Sequence, residues 1–141
     1  ADVRIMAEGD CIIGLNEVPV GIIVPQSIND LYSFWLGKAT AYRFLLEGKL
    51  LKPQEALTVG LVDEVVPIHQ IQTTAARHIK KYAQLEKGAW QSTKLNIRKP
   101  LLDSIANDQE QVIDSLLQQW WKPSTRAVLE TIIQNLTAKK V

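Results

Sequence analysis

A change of pattern near Pro67 most constrains how this chain folds. Before Pro67, short apolar segments alternate with helical patterns and with glycine and proline breaks. The last of these segments, LVDEVV over residues 61–66, has the composition of a strand, and Pro67 closes it. Beyond Pro67 every pattern is helical. The sequence therefore predicts an α/β portion over residues 1–67 and a helical portion over residues 68–141.

Two strands are predicted close to the N-terminus. Residues 3–7 alternate in character, and residues 11–15 are apolar throughout, so we expect the second strand to be covered on both faces. Pro19 and Gly21 prevent that strand from continuing, which predicts a bend over residues 16–21. Residues 22–24 are expected to form a further short extended piece.

Helical spacing predicts helices over residues 27–36, 40–47, 53–59, 69–86 and 89–98, the last ended by Pro100. Two further apolar stripes lie near residues 112–121 and 128–136. The side chains that this spacing turns inward in the first two helices are Leu31, Phe34, Trp35, Tyr42, Leu45 and Leu46. The two C-terminal stripes are long relative to the strands available to receive them, so we expect a partner subunit to cover them.

Composition excludes several classes of function. Sixteen basic and fifteen acidic residues give a net charge of +1, which does not favour nucleic-acid or anionic-membrane binding. No apolar stretch approaches the roughly 20 residues that span a bilayer. The single cysteine, Cys11, indicates a reducing compartment and is expected to be packed. Since Val3 already lies in a predicted strand and no initiator Met precedes it, we expect the chain to be part of a longer one.

Nucleotide-binding and metal-binding motifs are also missing from the sequence. It contains no GxGxxG, P-loop, CxxC or HExxH pattern. His69 and His78 lie nine positions apart, without metal-ligand spacing, and His78 is expected to be solvated. The sequence therefore predicts neither a metal site nor a bound cofactor.

Glu17 is the carboxylate that stands out, because it interrupts the apolar run IIGLNEVPVGIIVP. It either points into water at a loop tip or lies in a dry pocket as an acid or base. The residues alone favour the surface interpretation, because ionised carboxylates are rarely buried.

Two segments carry a resemblance to a known family. ADVRIMAEG with IGLNEVPVGI, followed by LLEGKLLKPQEALTVGLVDEVVP, resembles the enoyl-CoA hydratase/isomerase (crotonase) superfamily. The second segment is the more specific one. The resemblance covers the first hundred or so residues well and the rest loosely. It implies an α/β fold of the crotonase/ClpP-like spiral type, with the end of the ββα spiral core over residues 1–67 and a helical trimerisation region over residues 68–141.

Within this superfamily, the stretch after Glu17 separates two activities. Hydratases typically carry a PGxGGTQRL-like stretch there and use two glutamates, whereas this chain has IVPQSINDLYSFWLG without the glycine pair. With IGLNE, this is similar to mitochondrial-type Δ3,Δ2-enoyl-CoA isomerases, in which one glutamate at this position shuttles the proton. The resemblance implies conversion of 3-enoyl-CoA to trans-2-enoyl-CoA in fatty-acid oxidation. The alternatives are an enoyl-CoA hydratase and a catalytically incomplete assembly fragment.

The resemblance also implies a site and partners. Val20, Gly21 and Ile23 are expected to line the acyl pocket and Phe34 or Trp35 its far end, with ordinary core packing as the alternative. The oxyanion-hole donors and most coenzyme A contacts are expected to lie before residue 1, so this chain alone would present the base without them. A basic patch over residues 94–99 either meets coenzyme A phosphates or is a solvated helix face.

The expected substrate is an acyl-CoA that carries its own coenzyme A, with no other cofactor. The expected assembly is a homotrimer, or a dimer of trimers. The expected compartment is a bacterial cytoplasm, with the mitochondrial matrix as the alternative.

Overall fold

A computed structural model describes residues 1–106 and 109–138. Four strands are short: β1 (Ile5–Ala7), β2 (Ile13–Gly14), β3 (Leu50–Leu51) and β4 (Glu64–Val66). The helices are α1 (Gln26–Leu36), α2 (Lys38–Glu47), α3 (Pro53–Thr58), α4 (Ile71–Ala83), α5 (Lys87–Ala106), α6 (Gln109–Trp120) and α7 (Pro123–Ala138). A 3-10 turn over Ile68–Gln70 leads into α4.

Strands β1 and β4 pair in parallel, with Ile5 opposite Glu64. Just before this register, Arg4 and Asp63 join the two segments. The Arg4 backbone N–H donates to Asp63 Oδ2 at 2.7 Å, and the guanidinium donates to both carboxylate oxygens at 3.0 and 2.8 Å. The same guanidinium lies 3.6 Å from the ring centre of Trp35, a cation–π contact. One side chain therefore connects β1, β4 and α1.

Strands β2 and β3 pair antiparallel, with Gly14 opposite Leu50. This pairing requires glycine at position 14, because a Cβ there would collide with the carbonyl oxygen of Lys49. The glycine thus allows the chain that enters the Glu17 segment to approach the end of α2 closely.

The hydrophobic core lies among α1, α2, α3 and the segments that follow them. Its buried members are Tyr32, Ala41, Leu45, Leu51, Ala56, Leu61 and Val62. Helix α3 begins at Pro53, where proline suits the first turn, and the Lys52 backbone N–H donates to Glu55 Oε2 at 2.8 Å. The short helix thus delivers Ala56 to the core.

The C-terminal helices attach to this core at several points. Helix α4 packs on β1, α5 packs on α1, and α6 packs on α7. The Ser104 hydroxyl on α5 donates to Asp30 on α1 at 2.5 Å. None of the helices in the described part of the chain combines the length and apolar character that crossing a membrane requires.

Several expectations about the strands were wrong. Only Ile13–Gly14 of the predicted strand 11–15 pairs with another strand, which is β3. Cys11 and Ile12 lie outside this pairing and are exposed. The predicted strand 61–66 shortens to Glu64–Val66. The backbone N–H groups of Leu61 and Val62 instead donate to the Ala56 carbonyl at 2.8 and 3.2 Å, which closes the end of α3.

The predicted end of a helix at Pro100 was also wrong, because α5 runs through this proline to Ala106. A proline inside a helix removes one backbone hydrogen bond. The contact between Ser104 and Asp30 joins the later part of α5 to α1.

In α1 and α2 the predicted inward faces were partly wrong. Leu45 is buried as expected, but Leu31, Phe34, Tyr42 and Leu46 are exposed in this chain. The buried residues of these two helices are Tyr32, Ala41 and Leu45, and the local apolar pattern identified only Leu45.

The Arg4–Asp63 pair predicts an acid-sensitive contribution to stability. Burial alone raises the pKa of Asp63, but the hydrogen bonds and charge of Arg4 outweigh it, so the pKa lies below its ordinary value of 3.8. A carboxylate whose folded-state pKa is depressed stabilises the fold above its unfolded pKa, and the contribution is lost as pH falls through the folded pKa. The Asp63 side chain is 38% exposed, so solvent screening limits the effect.

We expect Asp63→Asn to lower the free energy of unfolding by about 1 kcal/mol near neutral pH. The difference should shrink towards zero as the pH falls through the depressed pKa of folded Asp63, where the native carboxylate is protonated as well. Urea unfolding across this pH range measures it. Asp103→Asn, which removes an exposed i,i+4 pair with Lys99, is the matched control and should change stability by about 0.5 kcal/mol or less. A pH-independent difference for Asp63→Asn would contradict the assignment.

Candidate active site

Glu17 begins a tight turn over residues 17–21. Its carbonyl oxygen accepts hydrogen bonds from the backbone N–H groups of Val20 at 3.1 Å and Ile22 at 2.8 Å. The side chain is half-buried, and Oε2 is fully buried without a hydrogen-bond partner in the described part of the chain. The Glu17 carboxylate therefore does not lie wholly in water, as the surface interpretation expected. A buried carboxylate oxygen with no protein partner costs free energy, and a catalytic role would explain why it is retained.

The near side of this turn rests on the end of α2. Gly48 adopts the left-handed conformation that ends the helix, at φ 60°. A Cβ on Gly48 would collide with the Pro19 ring and lie 3.2 Å from the Cα of Asn16. The absence of a side chain at Gly48 thus lets the residues on both sides of Glu17 pack on the helix end.

The far side of the turn is held by the C-terminal helices. The Gly21 carbonyl oxygen accepts hydrogen bonds from Gln119 Nε2 at 2.9 Å and Thr125 Oγ1 at 3.0 Å. Gln119 Nε2 also lies 3.1 Å from Thr125 Oγ1, and Thr125 is only 1% exposed. Residues about a hundred positions later in the chain therefore fix the end of the Glu17 turn.

Tyr32 on α1 is a second buried polar group at this site. The residue is 7% exposed, and its hydroxyl has no hydrogen-bond partner among residues 1–106 and 109–138. Burial raises the pKa of Tyr32 above its ordinary value of 10.0, and the negative charge of Glu17 raises it further. Sequence reasoning missed Tyr32. The spacing of Ile28, Tyr32 and Leu36 at i, i+4 and i+8 is the signal that indicates it.

The residues predicted to line an acyl pocket lie in different places. Val20 and Gly21 belong to the Glu17 turn and are half-buried. Ile23 is exposed and lines a cavity of about 300 Å³ against α6. Phe34 and Trp35, edge to face at 4.9 Å, line another of about 530 Å³ against α5. The described part of the chain does not bring all five into one cavity, and their role in substrate binding stays a prediction.

The basic side chains of α5 are paired. Lys94 Nζ and Arg98 donate to the Asp2 carboxylate at 2.7 and 3.0 Å, and the Lys94 hydrogen bond lowers the pKa of Asp2. Lys99 pairs with Asp103 at 3.0 Å. Lys94 and Arg98 thus link α5 to the start of the chain, and Lys99 forms an ion pair within α5.

The two histidines do not form a metal site. His78 is half-buried, with Nε2 2.5 Å from Glu64 Oε1, so the expectation that it is solvated was wrong. Arg77 donates to the other oxygen of Glu64 at 2.6 Å. Among the described residues, no group of three or more His, Cys, Asp or Glu side chains is arranged to hold a metal ion.

A sequence profile described as enoyl-CoA hydratase/isomerase matches residues 1–127. The chain belongs to the enoyl-CoA hydratase/isomerase family.

Relatives within this family agree. The chain is 36% identical over 140 residues to the mitochondrial enoyl-CoA delta isomerase 1 of Rattus norvegicus, covering 99% of this chain and 48% of the rat protein. It is 34% identical over 141 residues to the Homo sapiens protein of the same name, covering 99% of this chain and 46% of that protein. The chain thus spans about half the length of the curated relatives it matches.

Solved structures of the family confirm the fold class. The crystal structure of human mitochondrial delta3-delta2-enoyl-CoA isomerase superposes with a TM-score of 0.89 at 33% identity, covering 100% of this chain and 55% of that one. A carnitinyl-CoA hydratase from Mycobacterium avium superposes with a TM-score of 0.74 at 19% identity, over 96% of this chain and 52% of that one, and shows the fold alone. The resemblance to the enoyl-CoA hydratase/isomerase family and its crotonase fold are therefore confirmed. The domain boundary near Pro67 stays a prediction.

The anchoring of the turn predicts that Gly21→Ala is more damaging than an ordinary glycine substitution. Gly21 has φ 80°, and a Cβ would lie 3.2 Å from Thr125 Oγ1. Gly60 has φ 77° with nothing within 4 Å of the same position. We expect Gly60→Ala to cost about 1 kcal/mol for its backbone conformation, and Gly21→Ala to cost about 1 kcal/mol more. Denaturant unfolding of both variants measures the difference, and equal losses would show that Thr125 does not constrain the turn.

Proposed function

We propose that this chain carries the catalytic base of an enoyl-CoA isomerase that converts 3-enoyl-CoA to trans-2-enoyl-CoA in fatty-acid oxidation. The observation that supports this most directly is the buried Glu17 Oε2, which has no hydrogen-bond partner among the described residues. A general base has to keep a lone pair free for the substrate proton, and a carboxylate tied up in ion pairs does not.

The proposed reaction needs one carboxylate. Glu17 removes a proton from C2 of the 3-enoyl thioester, and the electrons of that C–H bond form a dienolate whose charge rests on the thioester oxygen. The C3–C4 π electrons then take the same proton at C4, a double bond forms between C2 and C3, and the carbonyl is restored. Glu17 ends as it began, so the cycle consumes no cofactor, and we propose that none is needed beyond the coenzyme A of the substrate.

Five other carboxylates in the described part of the chain already have structural partners. Asp2, Asp63 and Glu64 are bonded to cationic side chains. Glu55 and Glu86 accept backbone N–H bonds at the starts of α3 and α5. The family resemblance implies two catalytic glutamates for a hydratase, and the second would have to lie upstream of this chain.

The relatives also bear on the compartment. The rat and human relatives are named as mitochondrial, which favours the mitochondrial matrix over a bacterial cytoplasm for this protein. We propose the matrix on that ground.

The proposed base is tested by Glu17→Gln in the protein that carries this sequence. With 3-hexenoyl-CoA as substrate, the appearance of the conjugated 2-enoyl thioester is followed by ultraviolet absorbance. We expect kcat to fall by at least about a thousandfold, because general base catalysis and the return of the proton are both lost. The variant should remain folded by circular dichroism.

Glu130→Gln, the same change at an exposed position on α7, is the matched control and should leave kcat unchanged. Full activity of Glu17→Gln would exclude Glu17 as the base. A wild-type protein that hydrates crotonyl-CoA rapidly without converting 3-hexenoyl-CoA would be a hydratase. A protein that does neither would be the assembly fragment.

We also propose that the protein is a homotrimer, or a dimer of trimers, assembled through its C-terminal helices. The stripes predicted on α6 and α7 leave large apolar side chains exposed in the single chain. Trp121 is 67%, Leu136 62% and Ile133 59% exposed. Apolar area of this kind on a folded protein marks an association surface.

The assembly proposal predicts that Ile133→Asp lowers the sedimentation coefficient from that of a trimer towards that of a monomer. A buried, unpaired carboxylate at a subunit contact is strongly destabilising. Gln134→Asp, the same new charge one position along, is the control and should leave the assembly intact. A monomeric wild-type protein, or an Ile133→Asp variant that remains trimeric, would contradict the proposal.

A further inference from the structure

We propose that the hydroxyl of Tyr32 is the hydrogen-bond donor that orients the Glu17 carboxylate for proton transfer, which makes Tyr32 a positioning residue of the site. This inference rests on the proposed function, since it assigns Tyr32 a task in the reaction of Glu17. It concerns a residue that no recognised sequence pattern singled out.

The first ground is a matched pair of unsatisfied groups. Glu17 Oε2 is a buried acceptor and the Tyr32 hydroxyl is a buried donor, and neither has a partner in the part of the chain that the structure describes. The third buried side-chain atom of this kind, Arg4 Nη1, belongs to a guanidinium whose other nitrogens bind Asp63. Buried polar groups are nearly always paired in folded proteins, so an orphan donor and an orphan acceptor in one chain are candidates to be partners of each other.

The second ground is that the two groups belong to the same packed region. Leu15, two residues before Glu17, packs against the buried cluster that contains Tyr32, and so does Val24, after the turn. Pro25 then leads directly into α1, where its carbonyl accepts the Ile28 N–H at 3.0 Å. The chain therefore packs against the cluster that contains Tyr32 both before and after the Glu17 turn.

The third ground is electrostatic. The Glu17 charge reaches the phenol strongly enough to raise the pKa of Tyr32, in addition to the effect of burial. Glu17 is the one charged group whose influence on Tyr32 is resolved among the described residues. A phenol whose pKa is raised above 10.0 keeps its proton at neutral pH and so remains a donor there.

The proposed hydrogen bond has a consequence for the reaction, because it orients the Glu17 carboxylate. With Tyr32 donating to one lone pair of Oε2, the carboxylate is held in one orientation, its other lone pairs remain available for the substrate proton, and the ionised form of the base is favoured. Hydrogen bonds of this kind are often long in a free enzyme and tighten when substrate binds. Tyr32 itself does not touch the reacting atoms.

Tyr32→Phe tests the proposal, because it removes the hydroxyl and keeps the ring that packs in the core. We expect kcat for 3-hexenoyl-CoA to fall about tenfold with KM unchanged, and the acid limb of the kcat–pH profile to move to higher pH. A role in packing alone would not move the acid limb. Tyr42→Phe, at an exposed tyrosine of α2, is the matched control and should match the wild type.

A second measurement needs no activity. With tyrosine labelled with 13C at Cζ, the Tyr32 signal, identified by its loss in Tyr32→Phe, reports the ionisation of the phenol. In Glu17→Gln the pH of this ionisation should fall towards 10.0, because the nearby negative charge is gone. An unchanged titration would show that the groups are not neighbours and would overturn the proposal.

The two measurements separate the proposals. Isomerisation by the wild type with an unaltered Tyr32→Phe rate and profile overturns the role of Tyr32 and leaves the proposed function standing. No isomerisation by the wild type overturns the proposed function and the catalytic role of Tyr32 with it, while the titration alone decides whether the pair exists.

Discussion

The parallel pairing of β1 with β4, closed by Arg4 and Asp63, is the constraint on which the rest of the structure depends. These two residues lie 59 positions apart in the chain. The chain between them runs from β1 to β4 and contains the Glu17 turn and helices α1 to α3. Closing so long a loop costs conformational entropy, which a bidentate ion pair, backbone hydrogen bonds and the buried cluster together offset. Because Arg4 also stacks on Trp35, the closure sets where α1 lies.

Within this closed loop, the position of Glu17 is set by contacts that are distant in sequence. Gly48 lets the incoming side of the turn pack on the end of α2. Gln119 and Thr125 hold the Gly21 carbonyl from the C-terminal helices. A carboxylate placed by two independent supports moves little, and a base that transfers a proton between two carbons depends on such a fixed position. The helices beyond Pro67 therefore contribute to the candidate site as well as presenting apolar surface.

Much of the fold followed from the sequence. The strand pattern of residues 3–7, the glycine that ends α2 and the proline that begins α3 are local features, and the structure has them where they were expected. Expectations failed where a neighbour decided the outcome. Helix α5 continues through Pro100, and Ser104 beyond it binds Asp30 on another helix. Cys11 and Ile12 were expected to be covered but are exposed, because β2 pairs for only two residues.

The features of the candidate site also fall into those that the sequence predicted and those that depend on tertiary contacts. The sequence by itself determined that a lone carboxylate interrupts an apolar run, and the motifs on either side indicated the family that the comparisons confirm. Residue type and spacing are enough for that, because both are properties of a short segment. Only the tertiary structure decided that Glu17 Oε2 is buried and that Tyr32 is buried with it. Burial depends on which surfaces close over a residue, and those surfaces come from α1, α2 and the C-terminal helices, brought together by pairings between residues far apart in the chain.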